Sequence, residues 1–203
     1  MKSEFKLDAL HFSVLQEIGN IGAGNAATAL STLIGRKIDM NVPTVQFLDF
    51  QQTGEALGGA ETPVAAVLIS LNSENVNGIM MFIVEIDKSD LLIESLLGKK
   101  SEILGEMEQS ALQEIGNILT ASYLGALSTL LDTKVNRSVP SLAIDMAGAI
   151  LSLPATEFAK IADNTLFIES VFSTNEEDIS GYFILVPDQN SFKFIFEKLG
   201  LTT

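Results

Sequence analysis

Residues 15–43 read LQEIGNIGAGNAATALSTLIGRKIDMNVP, and residues 112–140 read LQEIGNILTASYLGALSTLLDTKVNRSVP. Laid over one another at an offset of 97 they need no gap. Of 29 positions, 15 are identical: seven in the opening block 15–21, five in 29–33, then Lys37, Val42 and Pro43 with their counterparts Lys134, Val139 and Pro140. Self-similarity this dense marks an internal duplication. The chain is therefore read as one domain, 1–203, built from two repeats, 1–100 and 101–203.

Each quoted stretch opens with a helix. Leu7, Leu10, Val14, Leu15, Ile18 and Ile21, and later Leu30, Leu33 and Ile34, recur at steps of three and four, as one buried helical face requires. Gly35 supplies a stop. In the second copy Leu112, Ile115, Ile118, Leu119, Tyr123, Leu124, Leu127 and Leu130 repeat the spacing. Short strands are expected at Lys37–Val42 and Lys134–Val139, each closed by a proline. Working outward, Val64–Leu71 and Gly78–Ile86 form a hairpin across the polar turn Asn72–Asn77, and Lys88–Leu97 forms a helix ending at Gly98. The second half matches this with Thr165–Ser173, the turn Thr174–Asp178, Gly181–Val186 and a helix at Gln189–Leu199. The apolar residues of Ser141–Ile161 fit either a helix or a strand, and Pro154 is expected to break the segment; a helix over about Ile144–Ser152 is the expectation there. Hairpins imply antiparallel pairing, so the class is α+β, an antiparallel sheet with two long pseudo-symmetric helices on its face.

The composition is 47% hydrophobic with a mean hydropathy of +0.33, yet no apolar stretch approaches the roughly 18 residues a spanning helix needs. The longest, Pro63 to Leu71, is strand-sized. The N-terminus mixes charges and has no apolar core of a signal peptide. Without cysteine there is no disulfide framework, thiol nucleophile or thiolate metal site. A cytoplasmic location with no membrane insertion is expected. The net charge of −14, from 26 acidic and 12 basic residues, repels a phosphate backbone, so nucleic acid is not an expected partner.

Within the repeated helix, Ser13, Glu17 and Asn20 stand at i, i+4 and i+7, and so do Ser110, Glu114 and Asn117. These steps stack three polar side chains on one stripe beside the apolar face. A solvated polar face would explain one such stripe. Two copies in register, within halves that have diverged elsewhere, point to a shared task. No metal is expected on the chain: the only histidine is His11, each stripe holds one carboxylate, and a carboxamide is a poor anchor for a transition metal. Gly22-Ala-Gly24-Asn-Ala-Ala27 matches a dinucleotide fingerprint, but it lies inside a helical pattern rather than between strand and helix. Close packing through small residues accounts for it better. A carboxamide both donates and accepts hydrogen bonds, so it can hold a water in line with a phosphorus. Phosphoryl transfer depends mainly on positioning and charge stabilisation. A carboxylate one turn away can pair with a lysine on a partner.

The pattern [S/D]-x3-E-x2-N followed 22 residues later by proline thus occurs twice, as Ser13, Glu17, Asn20 and Pro43 and as Ser110, Glu114, Asn117 and Pro140. It resembles the CheC/CheX/FliY chemotaxis phosphatases over essentially the whole chain, including Ile144-Asp145-Met146 after the second proline. The resemblance implies a CheC-like fold and a phosphatase of bacterial chemotaxis, a hydrolase acting on the phospho-aspartate of the response regulator CheY. It implies that Asn20 and Asn117 orient the attacking water, while Glu17 and Glu114 pair with the regulator's lysine. Ser13 and Ser110 would support the helix surface, and Pro43 and Pro140 the strand beside it. No cofactor is implied on this chain, since Mg²⁺ is expected on the regulator. The receptor deamidase CheD is an implied second partner, with a contact expected through Asp145, Met146 and Ile150, although the run Met146–Ile150 reads equally well as core. The alternative is a non-catalytic adaptor that binds CheY, CheD or both. The resemblance implies an additional C-terminal domain for switch proteins and an N-terminal regulator-binding peptide for FliY-like members, and neither is expected in this chain.

Overall fold

The computed structural model describes residues 9–41, 43–99, 104–157, 164–173 and 178–200. Along these run α1 (Ala9–Ile34), β1 (Asp39–Met40), β2 (Thr44–Asp49), α2 (Phe50–Ala56), β3 (Pro63–Asn72), β4 (Asn77–Glu85), α3 (Ile86–Leu97), α4 (Glu106–Leu130), β5 (Ser141–Met146), α5 (Ala147–Glu157), β6 (Asn164–Ser173), β7 (Asp178–Pro187) and α6 (Gln189–Lys198). Apart from the helix expected over Ile144–Ser152, the expected helices and hairpin strands are present at close to their expected bounds. Gly35 ends α1 in the left-handed region at φ +74°, donating its N–H to the carbonyl of Ser31 at 2.9 Å. Residues 174–177 of the turn expected at Thr174–Asp178 and the start of the first helix at Leu7 fall outside the described residues, as does the side chain of His11, while Asp178 already belongs to β7.

All pairings are antiparallel, in the order β1-β6-β7-β4-β3-β5, with β2 also on β6. The two hairpins meet at the centre through β4 and β7, with Phe82 opposite Phe183. The strand after each motif proline then crosses to the other half. Val45 of β2 lies opposite Ile168 of β6, and Ile144 of β5 opposite Ala65 of β3. Each half therefore completes the other's edge, and the duplication gives one sheet rather than two.

The central strands bury both faces, which is why their sequence shows no alternation. Ala65, Val67, Ile69 and Leu71 of β3 point with Phe82 and Phe183 into a core under α1 and α4. Val64 and Ala66, with Met81 and Ile184, point the other way, against Ala147, Ile150 and Leu151 of α5. The expectation of helices on one face is thus extended: α5 covers the second.

The segment after Pro140 corrects the sequence reading. Ile144–Met146 belong to β5, and the helix starts only at Ala147 and continues through Pro154 to Glu157. Its hydrogen-bond partner β3 decides this, because a strand is fixed by long-range pairing that local periodicity cannot show. The strands expected at Lys37–Val42 and Lys134–Val139 shrink to the two residues of β1 and a single bridge between Arg137 and Leu71. The strand β2 and the short helix α2 were not anticipated. Asp49 does carry a legible signal: its carboxylate accepts from the N–H of Gln52 at 2.8 Å, and Gln52 Oε1 accepts from the N–H of Asp49 at 3.0 Å, a reciprocal cap written Asp-x-x-Gln. Among the described residues, no helix is long and apolar enough to cross a membrane.

Candidate active site

The repeated helices α1 and α4 lie side by side on the sheet, and their buried faces set where the polar stripes point. In α1, Leu15 and Ile18 are buried, while Ser13, Glu17 and Asn20 are exposed. In α4, Leu112 and Ile115 are buried, Ser110 and Glu114 are exposed, and Asn117 is half-buried. Six stripe residues thus reach solvent in two groups, each carried on a single helix. The acid and the amide of each group are three residues apart, so one helical turn brings them together. Ser110 donates to the carbonyl of Glu106 at 2.8 Å and so bonds back onto its own helix.

Each motif proline is tied back to its helix by a residue that the sequence reading passed over. Gln16 Nε2 donates to the carbonyl of Pro43 at 2.5 Å, and Gln113 Nε2 to the carbonyl of Pro140 at 2.7 Å. Both glutamines belong to the identical block and stand 27 residues before their proline, which was the available signal. Gly19 makes the first approach close: a Cβ there would stand 2.8 Å from Pro43 Cγ and 2.9 Å from Val45 Cγ2. Each proline therefore ends a connection docked against its helix. Replacing Gln16 or Gln113 by leucine removes the donor to that carbonyl. Each change is expected to cost about 1 kcal/mol, read as a fall of roughly 2–4 °C in thermal midpoint. An unchanged midpoint would show that water satisfies the carbonyl instead.

The two groups are not identical. Asn117 Oδ1 accepts from Nη1 of Arg137 at 2.7 Å. At the equivalent place in the first half stands Met40, and among the described residues no cation is bonded to Asn20. Nothing in the repeat flagged Arg137, because the duplication lacks it.

The glycines of the false dinucleotide motif part company. A Cβ at Gly22 would overlap the ring of Tyr123, so close helix packing does explain this one. Gly24 is exposed with nothing within 4 Å, so packing does not explain it. Of the three residues expected to meet CheD, Asp145 and Met146 are exposed on β5, while Ile150 is buried against the sheet and belongs to the core.

Comparison with known proteins places this arrangement. The profile of the CheC-like family matches residues 10–46 and 107–144, the two stretches that hold the stripes and their prolines. The CheY-P phosphatase CheC of Bacillus subtilis is 36% identical over 194 residues, covering 92% of this chain and 92% of that protein. This chain belongs to the CheC-like family. The flagellar motor switch phosphatase FliY of the same organism is 31% identical over 147 residues, 70% of this chain but 36% of that longer protein. Among solved structures, Thermotoga maritima FliY superposes with a TM-score of 0.73 at 23% identity, covering 96% of this chain and 98% of that one. That match establishes the CheC-like fold, and the sequence relatives establish the family.

Proposed function

We propose that this chain is a hydrolase of chemotaxis signalling that removes phosphate from the phospho-aspartate of a CheY-type response regulator. The observation that carries the reading is the pair of solvent-facing Glu–Asn groups, held in the same register on two helices. The name of one relative, a CheY-P phosphatase, supports this substrate, and that of a second, a flagellar motor switch phosphatase, supports the reaction type.

In the proposed step, one stripe docks over the regulator's active site. Glu17 or Glu114 pairs with a regulator lysine, which fixes the approach through a charge-assisted contact. Asn20 or Asn117 holds a water in line with the phosphorus. The water oxygen forms the new bond to phosphorus as the acyl-phosphate bond breaks, releasing inorganic phosphate and the aspartate carboxylate. Mg²⁺ on the regulator supplies the charge stabilisation that phosphoryl transfer requires. This chain contributes position, which is why a neutral amide suffices.

A second partner, the deamidase CheD, is proposed to meet the edge strand β5. Supporting this, Met146 is 53% exposed and, among the described residues, β5 pairs with β3 alone and no strand lies on its outer edge.

The test is catalytic turnover. Substoichiometric amounts of the chain are expected to speed the decay of phosphorylated regulator through several cycles. Stoichiometric binding without faster decay, with or without the deamidase, would establish the adaptor instead.

A further inference from the structure

The chain has only two arginines, Arg36 and Arg137, within a net charge of −14. Arg36 is engaged with Ser95, Nη2 to Oγ at 2.8 Å. Arg137 bonds the carboxamide of Asn117. Its backbone is held from both sides by the end of β3: Asn72 N–H donates to the carbonyl of Asn136 at 3.1 Å, and Asn136 N–H to Ser73 Oγ at 2.6 Å. On the other side Ser138 N–H donates to the carbonyl of Ser70 at 2.9 Å, and Ser70 N–H to Ser138 Oγ at 3.1 Å. The guanidinium is therefore delivered to Asn117 from a fixed segment. Met40, at the matching place opposite Phe172, packs into the core instead.

We infer that Arg137 is a positioning residue for the second site, which it makes the faster of the two. This rests on the phosphatase reading above. A free carboxamide can flip, exchanging its donor and acceptor ends, and only the acceptor end can accept a hydrogen bond from the attacking water and so orient its lone pair. A guanidinium cannot accept, so its bond to Oδ1 fixes which end that is. The bond uses one lone pair and leaves the other for the water. Among the described residues Asn20 has no such partner, so its carboxamide is ordered at each encounter. Being charge-assisted, the contact is among the stronger hydrogen bonds open to a partly exposed amide.

The test isolates each site. In an Asn20→Ala background only the second site remains, and adding Arg137→Met, which copies the first half, is expected to lower kcat about tenfold with little change in KM. Arg137→Lys, which keeps a charged donor, is expected to recover most of that loss. In an Asn117→Ala background, Arg137→Met is expected to change nothing, because the first site does not use it. An unaltered kcat in the first pair, or a change confined to KM, overturns the inference. An equal loss in the Asn117→Ala background also overturns it, by showing a structural effect. The side-chain amide resonances of Asn117 in the free protein give a readout independent of turnover. Arg137→Met is expected to shift them and leave those of Asn20 in place; no shift means the contact is not made. If wild type fails to dephosphorylate the regulator, the phosphatase reading falls, while the resonances still decide whether Arg137 holds Asn117.

Discussion

The double variant Asn20→Ala/Asn117→Ala is expected to lose the acceleration of regulator dephosphorylation by roughly a hundredfold or more, the size of effect seen when a preorganised polar group is deleted from a reacting centre. Two features make this the decisive substitution. Asn20 is exposed and Asn117 half-buried on the outer side of its helix, so neither supports the core, and fold stability is expected to move by no more than about 0.5 kcal/mol at Asn20 and by about 1 kcal/mol at Asn117, where the bond to Arg137 is lost. Glu17 and Glu114 remain in the variant, so binding of the regulator should survive while turnover does not. Phosphate decay under saturating regulator, with a binding titration and a thermal melt beside it, separates the three quantities. A double variant as active as wild type would end the water-positioning role for both amides. The complementary pair Glu17→Gln and Glu114→Gln should act in the opposite way, raising KM more than it lowers kcat, because a docking carboxylate is used in the ground state as well. Single asparagine variants then apportion the activity. With Arg137 beside only one of the two amides, equal halves are not expected.

The duplication made much of this legible. A repeat of 15 identities in 29 positions exposed the Glu–Asn register before any element had been placed, and the helix period then showed that the stripe must face away from the core. The hairpins were equally plain, because their runs are apolar on both faces and bounded by polar turns. What stayed hidden depends on distant partners. Ser141–Met146 is a strand because β3 lies beside it, and its exposed Ile144 and Met146 give no alternating signal to read. The swap of β2 and β5 between halves is likewise invisible in a repeat, which reports similarity but not which copy pairs with which. Arg137 was hidden for the opposite reason. The repeat drew attention to what the halves share, and the residue that distinguishes their sites is one they do not share.

A pair of neighbouring glycines tests how the two site-bearing helices are held together. Gly22→Ala is expected to destabilise the protein by about 1–3 kcal/mol, a fall of roughly 3–10 °C in midpoint, whereas Gly24→Ala should stabilise it by about 0.5–1 kcal/mol. The same methyl group is added to the same helix in both cases, so intrinsic helix preference favours both. Surroundings decide the sign. Gly24 has open space, while a Cβ at Gly22 runs into the ring of Tyr123 from α4. That ring has nowhere to go. It is buried, its centroid lies 4.1 Å from that of Phe183, and its hydroxyl is bound to Ser170 Oγ at 2.6 Å. Burial pushes the phenol up to about 12, so it stays neutral at ordinary pH and depends on Ser170 as its partner. Relief must therefore come from separation of α1 and α4. Tyr123→Leu should offset part of the Gly22→Ala loss, giving a double variant less destabilised than the sum, and strict additivity would show that the two residues do not meet. The activity of the folded Gly22→Ala protein carries the functional conclusion. Each Glu–Asn group lies on one helix, so moving the helices apart leaves both groups whole, and kcat per folded molecule should hold. A large fall in kcat without unfolding would instead mean that the two stripes act as one composite site.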